Sequence, residues 1–293
     1  MARIARSIDD KSYHRRMLME RTLKELVCIL LCIISLLPFI ILFVNATRTS
    51  EAIKAGISLL PGGNLSANWA NFMDKQNGMQ LTVFHAMLNS FKIAVPATIL
   101  TVYFSTLTAY GIQIYDFKLK KAAWAFIMAV MIVPNTISII GFYRFMLKLH
   151  LTDTYIPLII PAIAAPSTIF FMKQYMQSTF SKELVEAARI DGSGEFKTFN
   201  RIALPIMKPA IATQAIFCFV ASWNNLFMPN MILTTDAKKT LPLFVQMLRS
   251  DQFKTDYGVL YIGIAVTILP IFVVYFILSK YIVAGVALGG VKE

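Results

Sequence analysis

The side chains best placed to do chemistry in this sequence lie in two stretches: Glu186 to Pro205, reading EAARIDGSGEFKTFNRIALP, and the amides Gln214, Asn224 and Asn225 just beyond it. In the first, Glu186 stands beside Ala187-Ala188, an Asp191-Gly192 pair follows, and Ile202 and Leu204-Pro205 close the stretch. A small apolar knob flanked by charges suits docking rather than bond-making. The second set offers donors and acceptors within one side chain, which matches what a hydroxyl-rich ligand needs. There is no G-x-x-x-x-G-K-[ST] phosphate loop, no H-E-x-x-H, no nucleophile elbow and no metal-spaced Cys/His cluster, so the chain is not expected to hydrolyse ATP, act as an enzyme or hold a metal. His14, His85 and His150 are scattered and read as solvated, while Cys28, Cys32 and Cys218 fall inside apolar runs and read as small buried residues.

The docking stretch reads as two short helices joined by a glycine corner. Ser181 is the expected N-cap of the first, with Glu183 in its first turn and Leu184, Ala187 and Ala188 on one face. Gly192 turns the chain where other residues would be strained. Ser193 is the expected cap of the second helix, Phe196, Phe199 and Ile202 recur every three residues, and Pro205 is expected to end it.

The rest of the chain is built for hydrocarbon. With 57% hydrophobic and 15% charged residues it is too apolar for a soluble domain, and its mean hydropathy is +0.62. A spanning helix needs about 20 apolar residues. Six such runs are legible, over 26–45, 91–114, 122–142, 156–175, 209–233 and 259–280. The first, too long for a cleavable h-region, is expected to remain as a signal anchor kinked at Pro38. Residues 46–80, with Pro61-Gly62-Gly63, read as an external loop carrying one short helix. Thr98, Thr101, Ser105 and Thr108 form a small-residue stripe for helix packing on the second span. Pro134-Asn135-Thr136 and Ser138 interrupt the third, where irregular backbone is tolerated only against protein or a watery cavity. Pro157, Pro161 and Pro166 bend or break the fourth, and Pro209 opens the fifth.

On the fifth run, Gln214, Cys218, Ala221 and Asn225 share a stripe at about 100° per residue, with Asn224 to one side and Trp223 opposite. Two readings stand for these amides: interhelical hydrogen bonding, or lining of a pathway. The net charge of +12 would point to nucleic acid in a soluble protein; in a membrane chain its distribution matters instead. Lys and Arg are roughly twice as frequent on the side holding both termini as on the other, which places both termini inside. The partners to expect are therefore lipid and protein, with no nucleic acid. The chain divides into a basic arm (1–24), a first span with external loop (25–80), a core (81–285) with the docking stretch at 181–208, and a tail (286–293).

Glu186-Ala187-Ala188, three residues, Gly192, nine residues, Ile202, one residue, Leu204-Pro205 resembles the EAA loop of binding-protein-dependent ABC importer permeases at every position. The Asp191-Gly192 pair and the Pro205 to Pro209 spacing look more narrowly like the carbohydrate-importer, MalG-like class. Asn89-Ser90, Ala109-Tyr110, Asp153-Thr154-Tyr155, Ser222-Trp223-Asn224 and the Gly289-Gly290-Val291-Lys292 tail extend the likeness across 81–293, although the chain ends in Glu293 where such permeases usually have glycine.

The resemblance implies an all-α membrane protein with six transmembrane helices in a type I ABC importer permease architecture and a cytosolic EAA coupling helix. It further implies a bacterial inner-membrane subunit forming half of a sugar pathway, coupled to an ABC ATPase dimer through Glu186, Ala187, Ala188, Asp191, Gly192, Ile202, Leu204 and Pro205. A second permease would complete a heterodimer, and an extracytoplasmic sugar-binding protein would deliver cargo. ATP and Mg would be used by the ATPase, with no cofactor on this chain. The tail Gly289, Gly290, Val291 and Lys292 would reach the ATPase pair. The alternatives are the same machine with a peptide or other small solute, or a secondary transporter; the latter would ordinarily carry mid-membrane charges that these spans lack.

Overall fold

The computed structural model describes the backbone of residues 2–133, 135–249 and 255–289, and side chains over 17–133, 138–249 and 255–280. Described residues in regular structure are helical. The chain gathers into two compact units, 1–72 with 256–265 and 73–255 with 266–293.

The first unit is dominated by α1 (Ala2–Ala46), which continues through Pro38 and carries the basic arm and first span as one helix. Its apolar side chains from Met17 to Phe43 are largely exposed, as on a helix that meets hydrocarbon. Cys28 and Cys32 are exposed with them, contrary to the buried reading: the whole circumference of this segment is apolar, so composition could not say which side faces protein. The loop after α1 holds two helices, α2 (Ser50–Ala55) and the start of α3 (Leu65–Asn77), where one was expected. Arg48 fastens it by donating to Asn45 Oδ1 (3.0 Å), Ala52 O (2.6 Å) and Gly56 O (3.0 Å). Gly62 is required by close approach, since a Cβ there would lie 2.5 Å from the Thr47 carbonyl oxygen.

The second unit is organised along α4 (Val83–Ile114), which is longer than the predicted second span. Thr82 caps it, its hydroxyl accepting from the His85 N–H. The predicted third span is two helices, α5 (Lys120–Ile132) and α6 (Asn135–Lys148); the break falls at Val133, and Pro134 lies outside the described residues. The proline-rich fourth span is broken as its sequence demands into α7 (Ile156–Ile159), a 3-10 turn (Ile160–Ile163) and α8 (Pro166–Thr179). The docking stretch follows as α9 (Glu183–Ile190), α10 (Glu195–Thr198), a π-turn (Phe199–Ala203) and α11 (Leu204–Ile206). The chain bends by 80° into α12 (Lys208–Trp223). The predicted fifth span stops there rather than near residue 233: Asn224 to Leu226 interrupt it before α13 (Phe227–Ile232). A 3-10 turn (Asp236–Lys238), α14 (Leu241–Leu248) and α15 (Tyr257–Gly289) complete the order.

Four described stretches are long and apolar enough to cross a membrane alone: Met17–Ala46, Val83–Ile114, Ile156–Thr179 and Tyr257–Lys280. The bent pair ending in α12 is a fifth by composition, and α5 and α6 are too short individually. In the second unit, α4 packs against α8 and α12 and its small-residue face is buried there: Ala94, Ala97, Thr98, Thr101, Ser105 and Ala109 allow close backbone approach.

Candidate functional site: an elbow and a cavity joined by one helix

The elbow is made by local chemistry. Gly192 adopts φ +74°, its N–H reaching Arg189 O (3.0 Å) while the Ser193 N–H reaches Ala188 O (2.9 Å). These two bonds form a Schellman motif that satisfies the last carbonyls of α9 and turns the chain. A Cβ at 192 would meet nothing within 4 Å, so only the left-handed backbone demands glycine. The caps differ from expectation. Lys182 rather than Ser181 precedes α9, and Gly194 rather than Ser193 precedes α10, neither with a side-chain cap bond. The Ser193 hydroxyl instead accepts from Thr198 (3.0 Å).

The faces differ as well. Val185 and Ala188 turn inward, whereas Leu184, Ala187 and especially Ile190, 86% exposed, turn outward. Phe196 and Phe199 part company: Phe196 is 70% exposed and Phe199 only 1%. Ile202 is half-buried against the Phe199 cluster. Nor does Pro205 end the second arm. The Leu204 N–H reaches back to Phe199 O, and this widened turn frees the backbone around Arg201, whose carbonyl a proline ring at 205 would otherwise crowd. The arm runs on to Ile206. The outcome is an exposed knob of Leu184, Ile190 and Phe196 beside the exposed carboxylate of Glu186, with Asp191 exposed at the corner.

Phe199 plugs the elbow into the second unit. Its ring meets Tyr103 edge-on at 5.7 Å and lies 5.3 Å from Tyr110, within a core that includes Met176, Phe180, Val185 and Met207. At the rim, the Tyr115 hydroxyl donates to Glu195, and Arg189 Nε donates to the other Glu195 oxygen (2.7 Å). Arg189 lies over the Tyr115 ring at 5.7 Å. Arg189 and then Tyr115 hold the Glu195 carboxyl below the usual carboxylate range, while burial and the neighbouring Glu195 push the Tyr115 phenol up. Sequence reading missed Tyr115, Arg189 and Glu195, because Tyr115 and Glu195 stand 80 residues apart and nothing local marks the pair.

The second feature is a cavity of about 560 Å³, within the range of small-ligand sites. Its wall is assembled from α4 (Ile93, Ala97, Thr101), α6 (Ser138, Phe142), the broken fourth span (Pro157, Pro161, Ala162, Thr168), α12 (Cys218, Ala221, Ser222), Asn225 and α13 (Met228, Pro229). The Thr101 hydroxyl donates to Ala162 O (2.8 Å), and Thr168 lies 3.7 Å from Cys218 Sγ. The described lining carries no ionisable acid or base apart from the Cys218 thiol. Such a wall offers apolar patches to C–H faces and hydroxyls or an amide to hydroxyl groups.

Of the predicted amides, only Asn225 lines this cavity. It does so from the break after α12, with its Oδ1 accepting from the Met228 N–H (3.2 Å), and not from a continuing helical stripe. Gln214 is half-buried away from the cavity lining and Asn224 is the exposed C-cap of α12. Cys218, Ala221 and Asn225 of the expected stripe meet at the cavity, whereas its first member, Gln214, does not, and the helix itself ends at Trp223, before Asn225. Trp223 packs as its azimuth suggested: it is buried, stacked on Phe219 at 5.4 Å, edge-on to Phe91 at 4.8 Å, and donates to Thr267 O (3.0 Å). Gly289 ends α15, while Gly290, Val291 and Lys292 lie outside the described residues.

Among the described residues, helices that include several long and apolar enough to cross a membrane, an exposed elbow and a cavity walled by those helices make the architecture of a membrane permease subunit. The profile of binding-protein-dependent transport system inner membrane components matches residues 104–288, and the chain belongs to that family. It is 33% identical over 261 residues to the arabinooligosaccharides transport system permease protein AraQ of Halalkalibacterium halodurans, covering 88% of this chain and 92% of the relative. It is 32% identical over 259 residues to the lactose transport system permease protein LacG of Rhizobium radiobacter, with 88% and 92% covered. A crystal structure of a bacterial ABC transporter involved in import of the acidic polysaccharide alginate contains a chain of the same fold, with TM-score 0.73 at 21% identity over 88% of this chain and 95% of that one. Family membership favours the importer subunit over the secondary-transporter alternative.

Proposed function

We propose that this chain forms half of the translocation pathway of an ATP-driven sugar or oligosaccharide importer, with the elbow as the seat of a separate ABC ATPase pair. The observation that carries the docking assignment is the exposed Leu184, Ile190 and Phe196 knob, held out by the Gly192 turn beside Glu186. Apolar side chains this exposed on a charged surface mark an interaction site. The cargo reading is supported by relatives named for arabinooligosaccharides and lactose and by a cavity wall of apolar, hydroxyl and amide groups. A second permease closes the other half of the pathway, and an extracytoplasmic binding protein delivers the sugar. ATP and Mg are used by the ATPase alone. Both termini, the elbow and the tail Gly289 to Lys292 lie on the cytosolic side of the inner membrane in this reading, which the excess of Lys and Arg on that side supports.

The test is a pair of variants in the complete transporter. Glu186→Lys reverses the charge beside the knob. Gly192→Val forces a β-branched residue into left-handed backbone at a cost of about 1–2 kcal/mol. Both are expected to abolish uptake and to lower the amount of ATPase that co-purifies. Normal uptake with normal co-purification in both would overturn the docking assignment.

A further inference from the structure

We infer that Tyr115, Arg189 and Glu195 form a joint that fixes the angle between the elbow and α4, so that displacement of the elbow by the ATPase moves the cavity wall and is not lost in swivelling. The inference rests on the docking assignment above and adds residues outside the knob.

The geometry has two parts. Phe199, seated between Tyr103 and Tyr110 with Val185 of the first arm in the same core, fixes where the elbow meets α4, but apolar packing is not directional and leaves small changes of angle open. The rim removes that freedom. Arg189 belongs to the first arm of the elbow and Glu195 to the second, so the Arg189 Nε bond to Glu195 (2.7 Å) closes the corner made by Gly192. Tyr115, the residue immediately after α4, donates to Glu195 and carries the Arg189 guanidinium over its ring at 5.7 Å. One phenol thus grips both arms at once. A third tie runs from Asp116 to Lys182 (3.5 Å), just ahead of the first arm, and the Tyr103 hydroxyl donates to Asn200 Oδ1 (3.2 Å) on the second.

At its other end the lever is the wall itself. Thr101, Ala97 and Ile93 of α4 line the cavity, and Thr101 stands about 20 Å along the helix from its end beside Tyr115, at 1.5 Å per residue. An unbroken helix packed along α8 and α12 carries a rotation at one end to the other. The joint is also poorly suited to a purely structural role. Arg189 and Glu195 are 44% and 47% exposed, where ion pairs contribute little to stability, so losing the joint leaves the fold standing while changing what the elbow can transmit.

The test uses the complete transporter in proteoliposomes with its loaded binding protein, measuring uptake, ATP hydrolysis and the ATPase that co-purifies. Tyr115→Phe and Glu195→Gln are expected to keep the ATPase bound and hydrolysing while uptake per ATP falls about five- to ten-fold. The conservative Glu195→Asp, which keeps an acceptor for both Tyr115 and Arg189, is expected to retain uptake per ATP to within about two-fold. An unchanged uptake per ATP in both single variants would overturn the joint, as would loss of the ATPase from Tyr115→Phe, which would make the phenol part of the docking surface. Glu186→Lys and Gly192→Val run alongside separate the two assignments: ATPase lost there but coupling intact in the rim variants leaves docking standing and removes the joint, whereas ATPase and uptake fully retained in both removes the docking on which the joint rests.

Discussion

The two ends of α4 are fastened by opposite chemistry. At the Tyr115 end the elbow is held by ring packing around Phe199, with short polar ties only at the exposed rim. At the Val83 end the ties are polar and buried: Asn89 Nδ2 donates to Ala237 O (2.9 Å) and Lys239 O (3.1 Å), and the Ser90 hydroxyl accepts from the Leu241 N–H (2.8 Å). Beside them Asp153, in left-handed backbone at φ +58°, accepts from the N–H groups of Thr234 and Thr235 (both 3.0 Å), the Thr235 hydroxyl (2.8 Å) and Lys238 Nζ (2.7 Å). A plug in an apolar socket tolerates small adjustments of angle, whereas a carboxylate saturated by fixed donors does not. The structure thus pairs an attachment at the elbow whose angle rests on a few exposed rim ties with one at the opposite end of the wall helix that is held by many polar ties.

Three measurements break or sharpen that contrast. The largest effect is expected from Phe199→Ala, which empties a site only 1% exposed and costs about 3–5 kcal/mol. The purified subunit should lose thermal stability, and the elbow should become protease-sensitive before the rest of the chain.

A smaller loss, about 1–3 kcal/mol, is expected from Asp153→Asn, since hydrogen bonds to a charged acceptor are the stronger kind and the half-exposed Lys238 adds little as a charge. Its pH dependence identifies it. Lys238 first, and the Thr235 N–H next, hold the Asp153 carboxyl well below the usual range. A lowered folded-state pKa contributes stability that is complete above the ordinary aspartate value of about 3.9 and is lost as pH falls further. The difference in Tm between wild type and Asp153→Asn should stay flat from about pH 8 to pH 5 and shrink only below about pH 4.

The smallest effect is on reactivity alone. In a background lacking Cys28, Cys32 and Cys218, cysteine at Asn225 should react with a small water-soluble thiol reagent, with a rate changed by ATP. Cysteine at Gln214, away from the cavity lining, should react more slowly in every nucleotide state. Equal rates at 214 and 225 would return both amides to one helical face.

The elbow was largely legible in the sequence, since its spacing, its Gly192 corner and its apolar content are local. The faces of its two arms were not. Which of Leu184, Val185, Phe196 and Phe199 turns inward depends on rings and thioethers from α4 and α8, and an i,i+3 pattern only says that some face is apolar. The caps at Ser181 and Ser193 failed for a local reason: a hydroxyl near a helix start is only a candidate cap, each helix begins one residue later than expected, and the Thr198 hydroxyl five residues on gave Ser193 another partner.

By itself the sequence determined that the chain is helical and membrane-spanning, that prolines break its fourth span, and that Glu186 to Pro205 forms a two-armed elbow turned at Gly192, because hydropathy, proline geometry and left-handed glycine act over a few residues. Only the tertiary structure decided the cavity, which takes Cys218, Ala221 and Asn225 into its wall and leaves out Gln214 and Asn224, and the ties of Tyr115 to Glu195 and of Asn89 to Lys239. Those contacts join residues 80 and 150 positions apart. A hydrogen bond or ring contact depends on distance in space, and for residues so widely separated along the chain that distance is set only when the helices between them have packed.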